Sequence, residues 1–325
     1  MMTKYFLSRL GWGAVIVLCI LVLNFLIIHA VPGDPLQAML GDFPVPVEYA
    51  AKIRAEFGLD LPIWTQLVLY LKNLFAGQLG FSFSNHAPVL QLMLTRLGPT
   101  LLLVLPALVV ASLVGVVLGV AAAPRAGSAG DSALTAVSLF GYSVPIFWLG
   151  QLLVIVFAIR LGWLPAAGMY STRDEFTGFA AALDIFRHLV LPGFSVTIFY
   201  IAVVARVARA SVLEALNCDY VLTARAKGLS RRYVLWRHIL PNAMLPVVTV
   251  IGYNFGYALT GAILVETVFG WPGLGSLFIT SITNRDYPVL QGIFLLVSVS
   301  VVLTNLVTDF VYAWLDPRVR RGYLK

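Results

Sequence analysis

The chain has 325 residues, 60% of them hydrophobic and only 11% charged, and its mean hydropathy is +0.90. A soluble domain carries roughly 25% charge, so the composition excludes one and predicts an integral membrane protein. The net charge of +7 is modest for a nucleic-acid binder, and its distribution along the chain explains it another way. Lys4 and Arg9 precede the first long apolar run. That run exceeds the length of a signal-peptide core, and no small-x-small cleavage site closes it, so it reads as an uncleaved anchor helix. Cys19 falls in this span and Cys218 in a polar loop, which leaves no pair for a structural disulfide.

Between the first two spans lie residues 31–96. Pro46 to Phe57 predicts a helix ending at Gly58, and Pro62 to Phe75 predicts a second. In the second, Ile63, Trp64, Leu67, Leu71 and Leu74 form an apolar stripe. Further spans are sought where charge is absent for about 20 residues. Arg96 to Arg125, Asp131 to Arg160, Arg187 to Arg206, Arg237 to Glu266 and Asp286 to Asp309 each enclose such a run. The runs Asn73–Thr95 and Thr267–Asn284 also lack charge. Both are crowded with Gly, Pro and polar residues, and irregular backbone facing lipid leaves costly unpaired amides. Six transmembrane helices follow: 10–30, 97–123, 132–160, 187–208, 241–265 and 288–312. They divide the chain into an N-terminal part, 1–95, a core, 96–315, and a tail, 316–325. Gly115 with Gly119, and Gly252 with Gly256 and Gly261, predict close helix packing.

Six spans put both termini on one side. That side, with loops 124–131 and 206–240, carries 14 of the 22 cations against five acids, a local +9, while the other carries eight cations and ten acids, a local −2. The positive-inside rule assigns the termini to the cytoplasm. The segment 217–240 is then a basic cytoplasmic island between two apolar spans. Asp219 is read as an N-cap. Ala224, Arg225, Ala226 and Lys227 favour a helix, with cations in the last turn. Gly228 suits the position after its end. Ser230 is read as capping a second helix towards His238, which Pro241 closes off from the next span.

This segment resembles the loop of ABC-transporter permeases that carries Glu-Ala-Ala, three residues, Gly, then nine residues to Ile-x-Leu-Pro. Gly228, Leu240 and Pro241 take the family's Gly and Leu-Pro positions. Leu222, Thr223 and Ala224 stand in place of Glu-Ala-Ala, and His238 in place of Ile. Thr223 to Leu229 is similar to the dipeptide/oligopeptide variant. The resemblance extends nearly end to end, through Val31-Pro-Gly-Asp-Pro35, Gly77-Gln-Leu-Gly-Phe-Ser82, Pro145-Ile-Phe-Trp-Leu-Gly150 and Leu161-Gly-Trp-Leu-Pro165. It continues through Phe269-Gly-Trp-Pro-Gly-Leu-Gly275 and Asn284-Arg-Asp-Tyr-Pro288.

The resemblance implies an all-α type I ABC importer permease in a bacterial inner membrane. Its implied partners are a second homologous permease, two cytoplasmic ATP-binding subunits and an extracytoplasmic solute-binding protein, with a peptide as cargo. The ATPase contact it implies falls on Asp219, Tyr220, Thr223, Ala224, Arg225, Ala226, Lys227, Gly228, Leu229 and Pro241. Nickel chelates, glutathione and opine-like solutes are the alternative cargoes.

Two other classes fit less well. The chain has no Gly-x-x-x-x-Gly-Lys-Ser/Thr loop to cradle ATP, so hydrolysis is expected in separate subunits. His29, His86, His188 and His238 are scattered without metal-ligand spacing, and neither a metal nor a cofactor is expected. A stand-alone secondary transporter or channel should show intramembrane ionisable groups or paired broken helices. Of the acids, only Glu266 and Asp309 lie near span ends, and Glu266 is expected near the outer interface. A membrane enzyme would need a convergent acid, base or metal set.

Overall fold

The computed structural model describes residues 2–30, 36, 46–48, 51, 54, 58, 60–82, 84–172 and 176–315. The helix expected over Pro46–Phe57, the motif Val31–Pro35 and the tail 316–325 lie largely or wholly outside the described residues. In chain order the helices are α1 (Met2–Ala30), α2 (Ile63–Phe75), α3 (Val89–Ala122), α4 (Ala129–Ser143), α5 (Ile146–Leu153) and α6 (Gly178–Leu216). Then come α7 (Asp219–Ala226), α8 (Arg231–Val234), α9 (Leu240–Gly261), α10 (Ile263–Val268), α11 (Leu274–Thr283) and α12 (Tyr287–Leu315). A two-residue hairpin, β1 (Phe81–Ser82) against β2 (Ala87–Pro88), interrupts the helical chain with Ser82 opposite Ala87.

Among the described residues, five stretches are long and apolar enough to cross a membrane: Leu7–Ile27, Val89–Arg125, Gly178–Leu216, Arg231–Tyr257 and Tyr287–Tyr312. The span expected over 132–160 is not one straight helix. α4 and α5 meet at a 96° bend. Pro145 has no N–H to continue α4, and its ring drives Val144 into an extended conformation, φ −78° and ψ 124°. The chain re-enters a helix at Ile146 and widens into a π-turn over Val154–Arg160. The run Thr267–Asn284, set aside as a span, holds the end of α10 and the short α11.

Packing follows the small residues. α3 lies along α6, where a Cβ on Gly115 would meet Val204 at 2.8 Å and one on Gly119 would overlap the Ala205 carbonyl oxygen. Gly-x-x-x-Gly lets the two backbones approach. α9 crosses α12 the same way, where a Cβ on Gly256 would meet Thr304 at 3.6 Å and one on Gly252 would collide with Thr308. α1 rests on α12 through the Arg9–Asp309 ion pair at 3.1 Å and the contact of Gly13 with Val302. Among the described residues, the largest apolar cluster joins Leu103 and Leu108 of α3, Val196 and Tyr200 of α6, and Val265, Phe269 and Trp271 around α10.

Two expectations about the polar island change. Asp219 is not the N-cap of α7. Cys218 holds that place with extended backbone and no side-chain cap, and Asp219 is the first helical residue. Its carboxylate still lies in the first turn, where the helix dipole favours an anion. Pro241 does not close off the second helix either. A π-turn over Leu235–Ile239 leads straight into α9, with the Leu240 N–H bonded to the Leu235 carbonyl. The extra residue in that turn widens the helix where the proline would break a regular one.

Candidate coupling surface

α7 is short, and its ends are fastened by its own backbone. Lys227 is the C-cap and Gly228 follows at φ +78°. The Gly228 N–H bonds to the Arg225 carbonyl at 2.9 Å, and the Leu229 N–H to the Ala224 carbonyl at 3.3 Å. These two bonds make a Schellman motif, which needs a left-handed residue after the helix. Inside the helix the Thr223 hydroxyl donates to the Asp219 carbonyl at 2.9 Å. Ser230 caps α8 as expected, its oxygen accepting the Tyr233 N–H at 3.3 Å.

One narrow edge of α7 is buried. Val221 and Ala224, one turn apart, pack with Ala123, Val212, Ala215, Val234, Ile239 and Ala243. This apolar seat draws on the ends of α3, α6 and α9. The opposite face is open. Asp219, Tyr220, Leu222, Thr223, Arg225, Ala226, Lys227, Gly228 and Leu229 are all exposed. Leu222 is 56% exposed and Tyr220 38%, so apolar groups stand among the cations of Arg225, Lys227, Arg231 and Arg232. Partial burial pushes the Tyr220 phenol above its ordinary pKa. The structure thus gathers Asp219 to Leu229 into one surface, with Ala224 as its anchor. Pro241 belongs to the root of α9 instead.

A brace beside this surface was not read from the sequence. Arg209 of α6 makes a two-pronged pair with Asp131 of α4, one bond at 2.7 Å. Asp131 also accepts the Gly127 N–H at 2.9 Å, and Ser128 caps α4 through the Asp131 N–H at 3.3 Å. The loop before α4 is thereby tied to the end of α6 that leads into α7.

Two junctions lie at the other end of the helices. In the first, Glu266 is wholly buried. Its carboxylate accepts the Thr100 hydroxyl at 2.6 Å, the Gly275 N–H at 2.7 Å and the Ser276 N–H at 3.1 Å. Thr100 in turn accepts the Leu274 N–H at 2.8 Å. Residues of α3 and α10 therefore satisfy the first amides of α11. Trp271 adds an indole bond to the Pro99 carbonyl at 2.9 Å. A side chain on Gly273 would collide with the Glu266 carboxylate, which explains the glycine there. Glu266, expected near the outer interface, is fully enclosed by protein on its own short helix.

In the second junction Ser82 of the hairpin donates to Asp286 at 2.5 Å, and Asn85 donates to Ser82 at 3.0 Å from both its backbone and side chain. Asn284 donates to Ser84 at 2.8 Å. The motifs Gly77–Ser82 and Asn284–Pro288, far apart in the chain, meet here.

Comparison with known proteins decides the family. Residues 115–321 match the model of "binding-protein-dependent transport system inner membrane component", and residues 2–104 match its N-terminal companion. The chain belongs to this family of transport permeases. It is 39% identical over 336 aligned positions to the dipeptide transport system permease protein DppB of Escherichia coli K12, covering 98% of this chain and 99% of that one. It is 40% identical over 334 positions to the di/tripeptide transport system permease protein DppB of Pseudomonas aeruginosa, with the same coverage. Among solved structures it resembles the inward-facing MetNI methionine ABC transporter. The TM-score is 0.54 at 16% identity, over 70% of this chain and 97% of the other, which establishes the shared importer fold. The permease is thus a multi-pass inner-membrane subunit that works with ATPase and binding-protein partners, and hydrolysis of ATP belongs to those partners.

Proposed function

We propose that this permease forms half of a peptide-import pore. A second homologous permease supplies the other half, two ATP-binding subunits dock beneath, and an extracytoplasmic binding protein delivers the cargo. Both termini and α7 lie in the cytoplasm in this reading, on the strength of the charge bias.

The observation that carries it is the build of α7. Its inner edge is locked to the ends of α3, α6 and α9, while its outer face offers Tyr220, Leu222 and Leu229 among cations. A rigid helix seated on three spans transmits force to all of them. The exposed mix of apolar and basic groups suits a protein groove with apolar walls and acidic edges. ATP-driven closure of the ATPases displaces α7, and α6 and α9 carry that displacement to the pore. The names of the relatives support di- and tripeptides as cargo.

Uptake of labelled di- to pentapeptides in a deletion strain and its complemented form tests this, with nickel and glutathione in parallel. Peptide uptake should vanish on deletion and return on complementation. Unchanged peptide uptake with loss of nickel or glutathione uptake would replace the cargo and keep the transport role.

A further inference from the structure

We infer that Arg206 and the aromatic path leading from it form a cargo subsite inside the pore, with the guanidinium receiving the carboxylate end of the peptide. This rests on the peptide reading above. Arg206 lies on the exposed side of α6. Its guanidinium carbon stands 4.8 Å over the ring of Tyr142, on α4. Tyr142 stacks on Phe199 at 5.8 Å, and Phe199 meets Tyr200 edge-on at 5.3 Å. On α9, which packs against α6, the rings of Tyr253 and Tyr257 lie 4.4 Å apart. α4 and α6 thus contribute a run of aromatic contacts with a cation at one end, and α9 adds a second, exposed pair.

Arg206 stands ten residues before the end of α6 at Leu216, at the inner end of its span. Arg209, one turn on, is neutralised by Asp131. Arg206 has no carboxylate partner among the described residues.

Such a surface does not suit lipid. A guanidinium without a carboxylate is costly beside lipid tails, and Tyr142 and Tyr253 expose about half of their surface, 48% and 58%. A passage for a zwitterion fits each part. Arg206 matches the carboxylate, and tyrosine faces attract an ammonium. Aromatic walls accept varied side chains without binding any one tightly.

The test uses the complete four-subunit transporter in proteoliposomes, with its binding protein and labelled dialanine. Arg206→Gln should lower uptake at least about tenfold, while Arg206→Lys keeps it within about threefold. ATPase stimulation by the loaded binding protein and co-purification of the subunits should be unchanged in both. Wild-type uptake by Arg206→Gln, or equal loss in the Lys variant, overturns the subsite. Loss of the second permease from the Arg206→Gln complex also overturns it, by assigning the cation to that interface. A wild-type complex that carries no dialanine refutes the peptide reading itself and this inference with it. Independently, with Cys19 and Cys218 replaced by serine, Tyr253→Cys should react with a water-soluble thiol reagent, and excess dialanine should protect it. An unreactive thiol during turnover overturns the water-lined passage.

Discussion

Two residues show how different chemistry makes a position indispensable. At Gly228 the space is open, since an added Cβ would meet nothing within 4 Å. Its constraint is purely conformational, φ +78°. A left-handed β-branched residue costs about 1–2 kcal/mol, enough to loosen a cap held by two backbone bonds. Gly228→Val should therefore insert normally yet bind the ATPases weakly and transport poorly, whereas Gly228→Asn should remain close to wild type. Affinity co-purification of the ATPases with each variant reads this directly. A Gly228→Val complex that assembles and transports fully would remove the coupling role from α7. Glu266 is the opposite case, constrained by its partners. Glu266→Ala strips a hydroxyl and two amides of their acceptor in a closed site, and each such loss costs about 1–3 kcal/mol. Glu266→Gln keeps one carbonyl oxygen for the amides of Gly275 and Ser276. The Ala variant should lose several degrees of thermal stability in detergent and the Gln variant much less. Equal melting of the two would show that the cap of α11 contributes little.

At the scale of elements, the legible features were those set by local chemistry. Apolar runs long enough for a bilayer, the glycine after α7 and the serine before α8 each carry their signal within a few residues. The sequence also held the proline at 145, but counting charges ignores backbone geometry, so the α4–α5 bend passed as one span. The π-turn before Pro241 has no compositional mark at all. The junctions failed for another reason, which is distance along the chain. Thr100 and Glu266 are 166 positions apart, and Ser82 and Asp286 are 204 apart, so no window of sequence contains both partners. The hairpin junction yields its own prediction. Ser84 and Asn284 are hydrogen-bonded at 2.8 Å, so the double variant Ser84→Cys/Asn284→Cys, in a chain lacking Cys19 and Cys218, should form a disulfide on mild oxidation. Cleavage of the chain between the two positions would then leave one band on a non-reducing gel and two after reduction. Two bands without reductant would mean that the hairpin does not dock on the Asn284–Pro288 segment.

For the whole molecule, charge and packing sort the ends of the helices in the same way. The buried acid Glu266, the Ser82–Asp286 junction and the segment 161–172 gather at one end, where the Gly168 N–H bonds to the Phe269 carbonyl at 2.8 Å. The Asp131–Arg209 brace, α7 and α8 gather at the other, and the cations of the island lie there. At the first end Glu266 caps α11 and Asp286 docks the hairpin. The second has an excess of cations that no internal acid consumes. The membrane potential and anionic inner leaflet favour such an excess on the cytoplasmic face, the orientation proposed above. That fixes an experiment on the intact cell. Thr172 and Ser230 are both exposed, so neither needs a conformational change to react. With Cys19 and Cys218 replaced, Thr172→Cys should be labelled by an impermeant thiol reagent added outside, and Ser230→Cys only after the membrane is permeabilised. Labelling of Ser230→Cys in intact cells would invert the topology, place α7 beyond the reach of any cytoplasmic ATPase, and take the proposed coupling path with it.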